Sequence, residues 1–333
     1  MGADTEITVV IPTYNRRARL ALVLDALSRQ SIAPGRFEAV VVDDGSQDGT
    51  LAWLGQQSFP FAFRAVSQAN AGPAAARNRG LREARGELLL FLDDDVVPGP
   101  ALIEEHLRSH RQETGIAVIG PLLSLPRYRQ PWVAWEQDKL EKQYAAMLRG
   151  DWKPSFRQFW TGNASVARGL VVEAGGFDTS LTRAEDIELA ARLALRGLRF
   201  RFNPAASGVH HAERSLESWS RMHRSYGQVE VSIHGRLGHE NALDTLADNW
   251  SHLHPATKSL VKACIGRPRL TAAAERTLTA GIRGAAAAGL ERAARAGCSL
   301  LANVLYWSGA GQALGVEGVR ALFSRPLRPG FGT

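Results

Sequence analysis

Four groups of ionisable side chains could carry chemistry in this chain: Asp43-Asp44, Asp93-Asp94-Asp95, Glu185-Asp186 and His210-His211. The first two follow predominantly apolar runs, "FEAVVV" and "ELLLFL", that read as strands. Packing gives no reason for a buried strand to end on adjacent carboxylates, whereas strand ends at the edge of an α/β sheet are where ligands bind. Three successive aspartates repel one another, and a divalent cation with oxygen ligands is the usual compensation. If strand geometry continues past Leu92, Asp93 and Asp95 point to one side and Asp94 to the other, making Asp93 and Asp95 the metal-facing pair. An imidazole from His210 or His211 would complete that sphere. Glu185-Asp186 opens a helix, where the dipole favours ionised carboxylates. Each group alone has a plainer explanation, as an acidic turn, a helix cap or a surface pair.

These residues need elements to position them. Strands are predicted at 7–11, 37–42, 61–66, 87–92 and 116–120, alternating with helical segments. Leu20, Val23, Leu24 and Leu27 recur at helical spacing behind Asn15 as a cap, and Pro73 falls in the first turn of a helix over 71–85. The alternation implies an α/β fold, a mostly parallel sheet with helices on both faces. The rhythm breaks after Gly120, and residues 121–160 show no clear period. A helix over 185–197 follows, and from about 240 onward only helices are predicted, broken by glycines. The expected division is a catalytic domain over 1–235, with a nucleotide-binding half over 1–120 and an acceptor-binding half over 121–235, then a basic helical region over 236–333.

A hydrophobic content of 45% with 22% charged residues fits a globular chain and excludes disorder as its general state. Cys264 and Cys298 match no metal or disulfide spacing, which suits a reducing cytosol. No leader pattern and no window of membrane-spanning length is read, so a cytoplasmic location is expected. Of the net charge of +7, residues 236–333 hold +6, from 12 basic and 6 acidic side chains. That tail, with "SLLANVLYWSGAGQAL", reads either as a segment docking peripherally on the inner face of a membrane or as a packing or homo-dimerisation segment.

The motifs "VVIPTYNR", "VVVDDGSQDGT", "NAGPAAARNRGLREARGELLLFLDDDVVP", "TGNASVARGLVVEAGGFD", "AEDIELAARLALRG" and "HHAERSLESW" occur in this order. From about Ile7 to Gly227 the chain thereby resembles glycosyltransferase family 2, the inverting nucleotide-sugar enzymes of the GT-A fold, with its Rossmann-like nucleotide-binding sheet. The resemblance implies that Pro12, Thr13, Tyr14 and Arg16 hold the nucleoside and that Asp44 accepts a hydrogen bond from the base, commonly uracil. It implies a base or phosphate contact for Arg77, and a donor and metal motif at Asp93, Asp94 and Asp95, with Asp95 the direct ligand of Mg²⁺ or Mn²⁺. His210 or His211 would join the metal. Asp186 would be the general base, with Glu185, Gly162 and Asn163 near the acceptor or sugar. The implied partners are a nucleotide-sugar donor, with UDP favoured, and a glycan or lipid-linked acceptor in cell-surface polysaccharide, glycolipid or lipid-linked glycan synthesis. No nucleic-acid partner is expected. A sugar-1-phosphate nucleotidyltransferase would want a glycine-rich phosphate loop where this chain has "PTYNRR". A non-catalytic nucleotide-sugar-binding module would not need Asp93, Asp95, Asp186 and the histidine pair together.

Overall fold

The computed structural model describes residues 5–125, 130–212, 214–237 and 239–325. The strands are β1 (Ile7–Thr13), β2 (Phe37–Asp43), β3 (Ala62–Ser67), β4 (Leu88–Leu92), β5 (Val96–Pro98), β6 (Ile116–Ile119), β7 (Leu122–Ser124), β8 (Asn163–Ala167), β9 (Arg199–Phe202) and β10 (Gly208–His210). Seven form one sheet in the order β3-β2-β1-β4-β8-β6-β9. Neighbours from β3 to β4 are parallel, β8 runs antiparallel to both β4 and β6, and β6 pairs with β9 in parallel. The mostly parallel α/β sheet expected from the alternating segments is therefore present.

Helices α1 (Arg17–Leu27), α2 (Thr50–Leu54), α3 (Pro73–Glu83), α4 (Leu102–Gln112), α5 (Pro131–Arg149), α6 (Arg168–Glu173) and α7 (Glu185–Leu195) accompany the strands. Alternation along β1 divides the core in two. Val9 and Ile11 join Leu20, Val23 and Leu24 of α1 and Leu102, Ile103 and Leu107 of α4. Val10 joins Ala74 and Leu81 of α3 and Leu189, Ala190 and Leu193 of α7. A small second sheet, β5-β10-β7, sets β10 antiparallel to β5.

The chain forms two compact units, Met1–Leu125 with Gln143–Ala212, and Pro126–Lys142 with Glu213–Thr333. The second is built on α8 (Leu216–Leu237), α9 (His239–Ser251), α10 (Pro255–Cys264), α11 (Pro268–Ala287) and α12 (Glu291–Phe323). The division expected near residue 235 falls inside α8, whose Leu216, Trp219 and Met222 pack with Ile282, Cys298, Leu301 and Leu305. Two glycines bring α8 and α12 to backbone contact. A Cβ on Gly227 would stand 1.9 Å from the Tyr306 carbonyl, and one on Gly309 would stand 2.0 Å from the Arg224 carbonyl.

Two sequence expectations are corrected. Residues 131–149, read as having no period, are helical; the buried positions Val133, Gln137, Tyr144 and Met147 recur at helical spacing, but a glutamine and a tyrosine hide the apolar stripe. Gly281, Gly284 and Gly297 do not break their helices, and Gly297 lets Ile282 approach. The turns come at Gly266 and Gly289, both with positive φ, and the kink in α12 at Gly315.

Behind the sheet, α4 sets a buried histidine, His106, and a half-buried one, His110, on one serine. Asn163 Nδ2 donates to the Ala206 and Pro121 carbonyls (2.8 and 3.3 Å), which turns its Oδ1 to His106 Nε2 at 2.9 Å. His106 Nε2 is therefore the protonated nitrogen, and Nδ1 accepts from Ser165 Oγ at 2.8 Å. The serine oxygen accepts in turn from His110 Nε2 at 2.8 Å. Burial holds both imidazoles down to about 4. An unfolded histidine protonates near 6.5, so between about 6.5 and 4 the unfolded chain binds the extra protons and stability falls on acidification. We expect His110→Gln to lose less melting temperature between pH 7 and 4.5 than the wild type does, as read by circular dichroism. Parallel profiles would show that His110 is not held neutral.

Candidate active site

The carboxyl ends of β1, β2 and β4 open on one edge of the first unit. Thr13 and Asp43 close the β1–β2 register. The loop after β1 is clasped to the loop after β2: Asn15 N–H donates to Ser46 Oγ, Gln47 N–H to Asn15 Oδ1, and Arg17 N–H to Asp48 Oδ2. Asn15 takes a left-handed conformation (φ 53°) to make this turn. Tyr14, at its tip, is 46% exposed, and Pro12 remains within β1 opposite Val42. Asp44 is buried and accepts hydrogen bonds from Gln68 Nε2, Ala71 N–H and Gly72 N–H at 2.8, 3.0 and 2.8 Å. It thus fixes the segment leading into α3.

The acidic triplet departs from the expected alternation. Strand β4 ends at Leu92, and a turn closes where Val96 N–H meets the Asp93 carbonyl at 3.1 Å. Asp94 and Asp95 consequently share one partner: Arg16 Nη1 lies 3.0 Å from Asp94 Oδ1 and 2.7 Å from Asp95 Oδ2. Thr13 Oγ1 donates to Asp94 Oδ2 at 2.7 Å. Burial nevertheless raises Asp94 to about 6, against the pull of Arg16 and Thr13. Asp93 turns instead to Arg77, with Nη2 at 2.8 Å from its Oδ1. Arginines thus face all three carboxylates of the turn.

Arg77 is the crossing point. It is 5% exposed, and its other amino group, Nη1, donates to Glu185 Oε1 at 2.6 Å. This guanidinium, expected to touch a base or phosphate, lies inside the protein and joins the acidic turn to the start of α7. Ala184, just before α7, has φ 55°, a strained value for a residue with a side chain. That turn lets Asp186 fold back over the helix start, where its oxygens accept Ile187 N–H at 2.8 Å and Thr161 N–H at 3.3 Å. Burial foremost, then the neighbouring Glu185, raises Asp186 to about 6, while Arg77 opposes the shift.

The antiparallel β5–β10 pairing sets His210 opposite Val96 and so beside Asp95, with Nε2 at 3.5 Å from Asp95 Oδ1. His211 meets Asp95 through its backbone: its N–H donates to the Asp95 carbonyl at 2.8 Å, and its own carbonyl accepts from Arg19 Nη1 at 2.6 Å. Gly162 lies against Asp93, since a Cβ there would stand 3.2 Å from Asp93 Oδ2. Asn163 does not reach this edge; it is 1% exposed and spent on the His106 network. Oxygen and imidazole donors suit Mg²⁺ or Mn²⁺, and Asp95 and His210 converge as such a pair. Among the described residues, however, no three His, Cys, Asp or Glu side chains gather as a metal-binding group, because Asp93 is drawn towards Arg77.

A family model described as "Glycosyl transferase family 2" matches residues 8–170. An uncharacterised glycosyltransferase of Bacillus subtilis, YfnE, is 30% identical over 61% of this chain and 64% of its own length. The validoxylamine A glucosyltransferase of Streptomyces hygroscopicus subsp. limoneus is 33% identical over 61% of this chain and 51% of its own. The chain thus spans between about half and two thirds of these relatives. Among solved structures, the mannosyltransferase PcManGT of Pyrobaculum calidifontis, in complex with GDP-Man and Mn²⁺, superposes over 94% of this chain and 88% of its own, with a TM-score of 0.62 at 23% identity. Staphylococcus aureus TarS 1–349, in complex with UDP-GlcNAc, covers 89% and 91% with a TM-score of 0.55 at 17% identity. These likenesses establish the GT-A fold.

Removing one partner from a buried ion pair costs about 3–5 kcal/mol, chiefly by stranding the other charge. Arg77→Met should lower unfolding free energy in urea by that order, and adding Glu185→Gln should restore part of the loss. Strictly additive losses would show that the two side chains share no energy.

Proposed function

The chain belongs to glycosyl transferase family 2, and on that premise we propose that it transfers a sugar from a nucleotide-diphosphate donor to an acceptor hydroxyl, inverting the anomeric centre. The observation that carries the reading is Asp186, raised to about 6 at the start of α7 and tied through Glu185 and Arg77 to the acidic turn. A carboxylate with this value is mostly ionised at neutral pH and close enough in basicity to take a hydroxyl proton as its oxygen attacks. The acceptor oxygen bonds to the anomeric carbon, the carbon–phosphate-oxygen bond breaks, and the electron pair leaves with the nucleoside diphosphate. No covalent enzyme intermediate is required.

Pro12 and Thr13 at the end of β1, with Tyr14 and Arg16 in the loop after it, line the donor edge, and Asp44 shapes the entry to α3. The GDP-Man and UDP-GlcNAc complexes of the structural relatives support a nucleotide-diphosphate sugar as donor class; UDP is our favoured nucleotide. Asp93, Asp95 and His210 or His211 would hold Mg²⁺ or Mn²⁺, which supplies positive charge to the diphosphate when bound. Arg16, resting on Asp94 and Asp95, would yield to the donor and keep the carboxylates neutralised until then. Glu185, held by Arg77, and Gly162, against Asp93, border the sugar and acceptor. The acceptor class we favour is a glycan or lipid-linked glycan.

Asp186→Asn should reduce sugar transfer by on the order of hundred-fold or more, the usual worth of general-base assistance, while UDP binding measured by calorimetry stays within a few-fold. Wild-type kcat/KM should fall as pH drops through about 6, where Asp186 takes up its proton. EDTA should weaken nucleotide binding. Near-normal transfer by Asp186→Asn would remove it from the role of base.

Among the described residues no helix is long and apolar enough to cross a membrane. The apolar residues of "CSLLANVLYW" form core, with Cys298, Leu301, Val304, Leu305 and Trp307 all buried. The peripheral membrane contact we propose rests instead on exposed cations of the helical unit, among them Arg269, Arg276 and Arg283. The full chain should float with anionic vesicles at low salt, and an Arg269→Gln/Arg276→Gln/Arg283→Gln variant should float less. Equal flotation would exclude this surface.

A further inference from the structure

The helical unit carries a partly open cavity of about 420 Å³, within the roughly 300–1,000 Å³ range of small-molecule sites. Every lining residue belongs to that unit, so the cavity is separate from the edge holding Asp93 and Asp186. Its aromatic wall is Trp135, Tyr306 and Trp307; its polar groups include Lys139, His223, Glu230 and Asn303.

One of those polar groups is held only by a long ion-pair contact where burial makes full satisfaction valuable. His223 is 9% exposed, and its Nε2 has no hydrogen bond among the described residues. The nearest carboxylate oxygen, Glu136 Oε1, is 3.6 Å away. The ring cannot easily turn to find another, because Trp219 and Trp135 meet it edge-on at 4.3 and 5.6 Å. Asn303 spends its Nδ2 on the Ser299 carbonyl at 2.8 Å, which leaves Oδ1 for a ligand. Tyr306 donates its hydroxyl to Glu230, fixing the carboxylate beside the aromatic face. The close α8–α12 approach at Gly227 and Gly309 holds Tyr306 in place, so the cavity is preformed.

The mixture of groups selects the ligand. An apolar molecule would desolvate Glu230 and His223 without replacing their hydrogen bonds. An anion would meet Glu230, and an organic cation would find the Trp135 face already taken by Lys139 Nζ, 4.6 Å from the ring centroid. A sugar ring offers C–H faces to the aromatics and hydroxyls that donate or accept as each site requires. We propose that this cavity is a second saccharide-binding site, distinct from the transfer site; only the choice of a glycan ligand leans on the proposed acceptor class.

The test uses the full chain with maltotriose, mannotriose and chitotriose as probes, followed by saturation-transfer NMR and tryptophan fluorescence without nucleotide. At least one should bind. Asn303→Ala, a change that favours the helix, and Lys139→Ala should each weaken binding roughly five- to tenfold, while Asp186→Asn should not change it. Binding by none of the three, binding untouched by Asn303→Ala and Lys139→Ala, or binding lost with Asp186→Asn would each overturn the proposal. UDP calorimetry on the same samples separates the two readings. Saccharide binding without any nucleotide binding would defeat sugar transfer and leave this site standing; the converse would defeat this site alone.

Discussion

One guanidinium organises the candidate site. Arg77 sits in the interior with Asp93 on one side and Glu185, 108 residues further along the chain, on the other. Without a fixed cation, the Asp93–Asp95 turn and the Glu185-Asp186 helix start would repel across a poorly solvated space. Arginine suits this position because its planar fork reaches two carboxylates in fixed directions and it stays charged when buried. The Phe177 ring, 5.9 Å from its central carbon, adds a second constraint. The proposed base and the acidic turn are thus positioned by a single rigid group.

Around this crossing the backbone departs from easy conformations at two places that matter. Among the described residues, Asn15 and Ala184 alone combine a side chain with a positive φ, and both stand beside the site. One bends the loop after β1 towards Ser46 and Gln47; the other starts α7 so abruptly that Asp186 folds onto Ile187 N–H. Such strain persists only where surrounding packing over-determines it, and here the cores on both faces of the sheet supply that packing.

The sheet was legible because "ITVVI" and "ELLLFL" are near-continuous apolar runs, broken only by Thr8 and Glu87, as strands buried on both faces tend to be. The ordered motifs were legible as a resemblance, and the family match agrees with it. The arrangement of the acidic turn was not, because alternation holds only while the strand continues and the chain turns at Asp93. Nor was the partnership of Arg77 with Glu185, which no local pattern encodes. The interior role of Asn163 depends on His106 of α4, and Ser165 joins that residue to His110; only the four-residue spacing of the two histidines hints at this in the sequence. Helix α5 was hidden by Gln137 and Tyr144 on its buried face.

The place of β8 between β4 and β6 also bears on how a ribosome delivers this fold. The nascent chain can pair β1, β2, β3 and β4 as they emerge, but β6 has no neighbour in the sheet until residues 163–167 and then β9 arrive. At about 5–20 residues per second, β6 waits roughly 2–9 s for β8 while α5 is being made. During that interval the Leu88–Leu92 edge is open to any strand that passes, including one from a neighbouring nascent copy. Strand order thus gives this protein a period of aggregation risk during synthesis that its finished surface does not reveal.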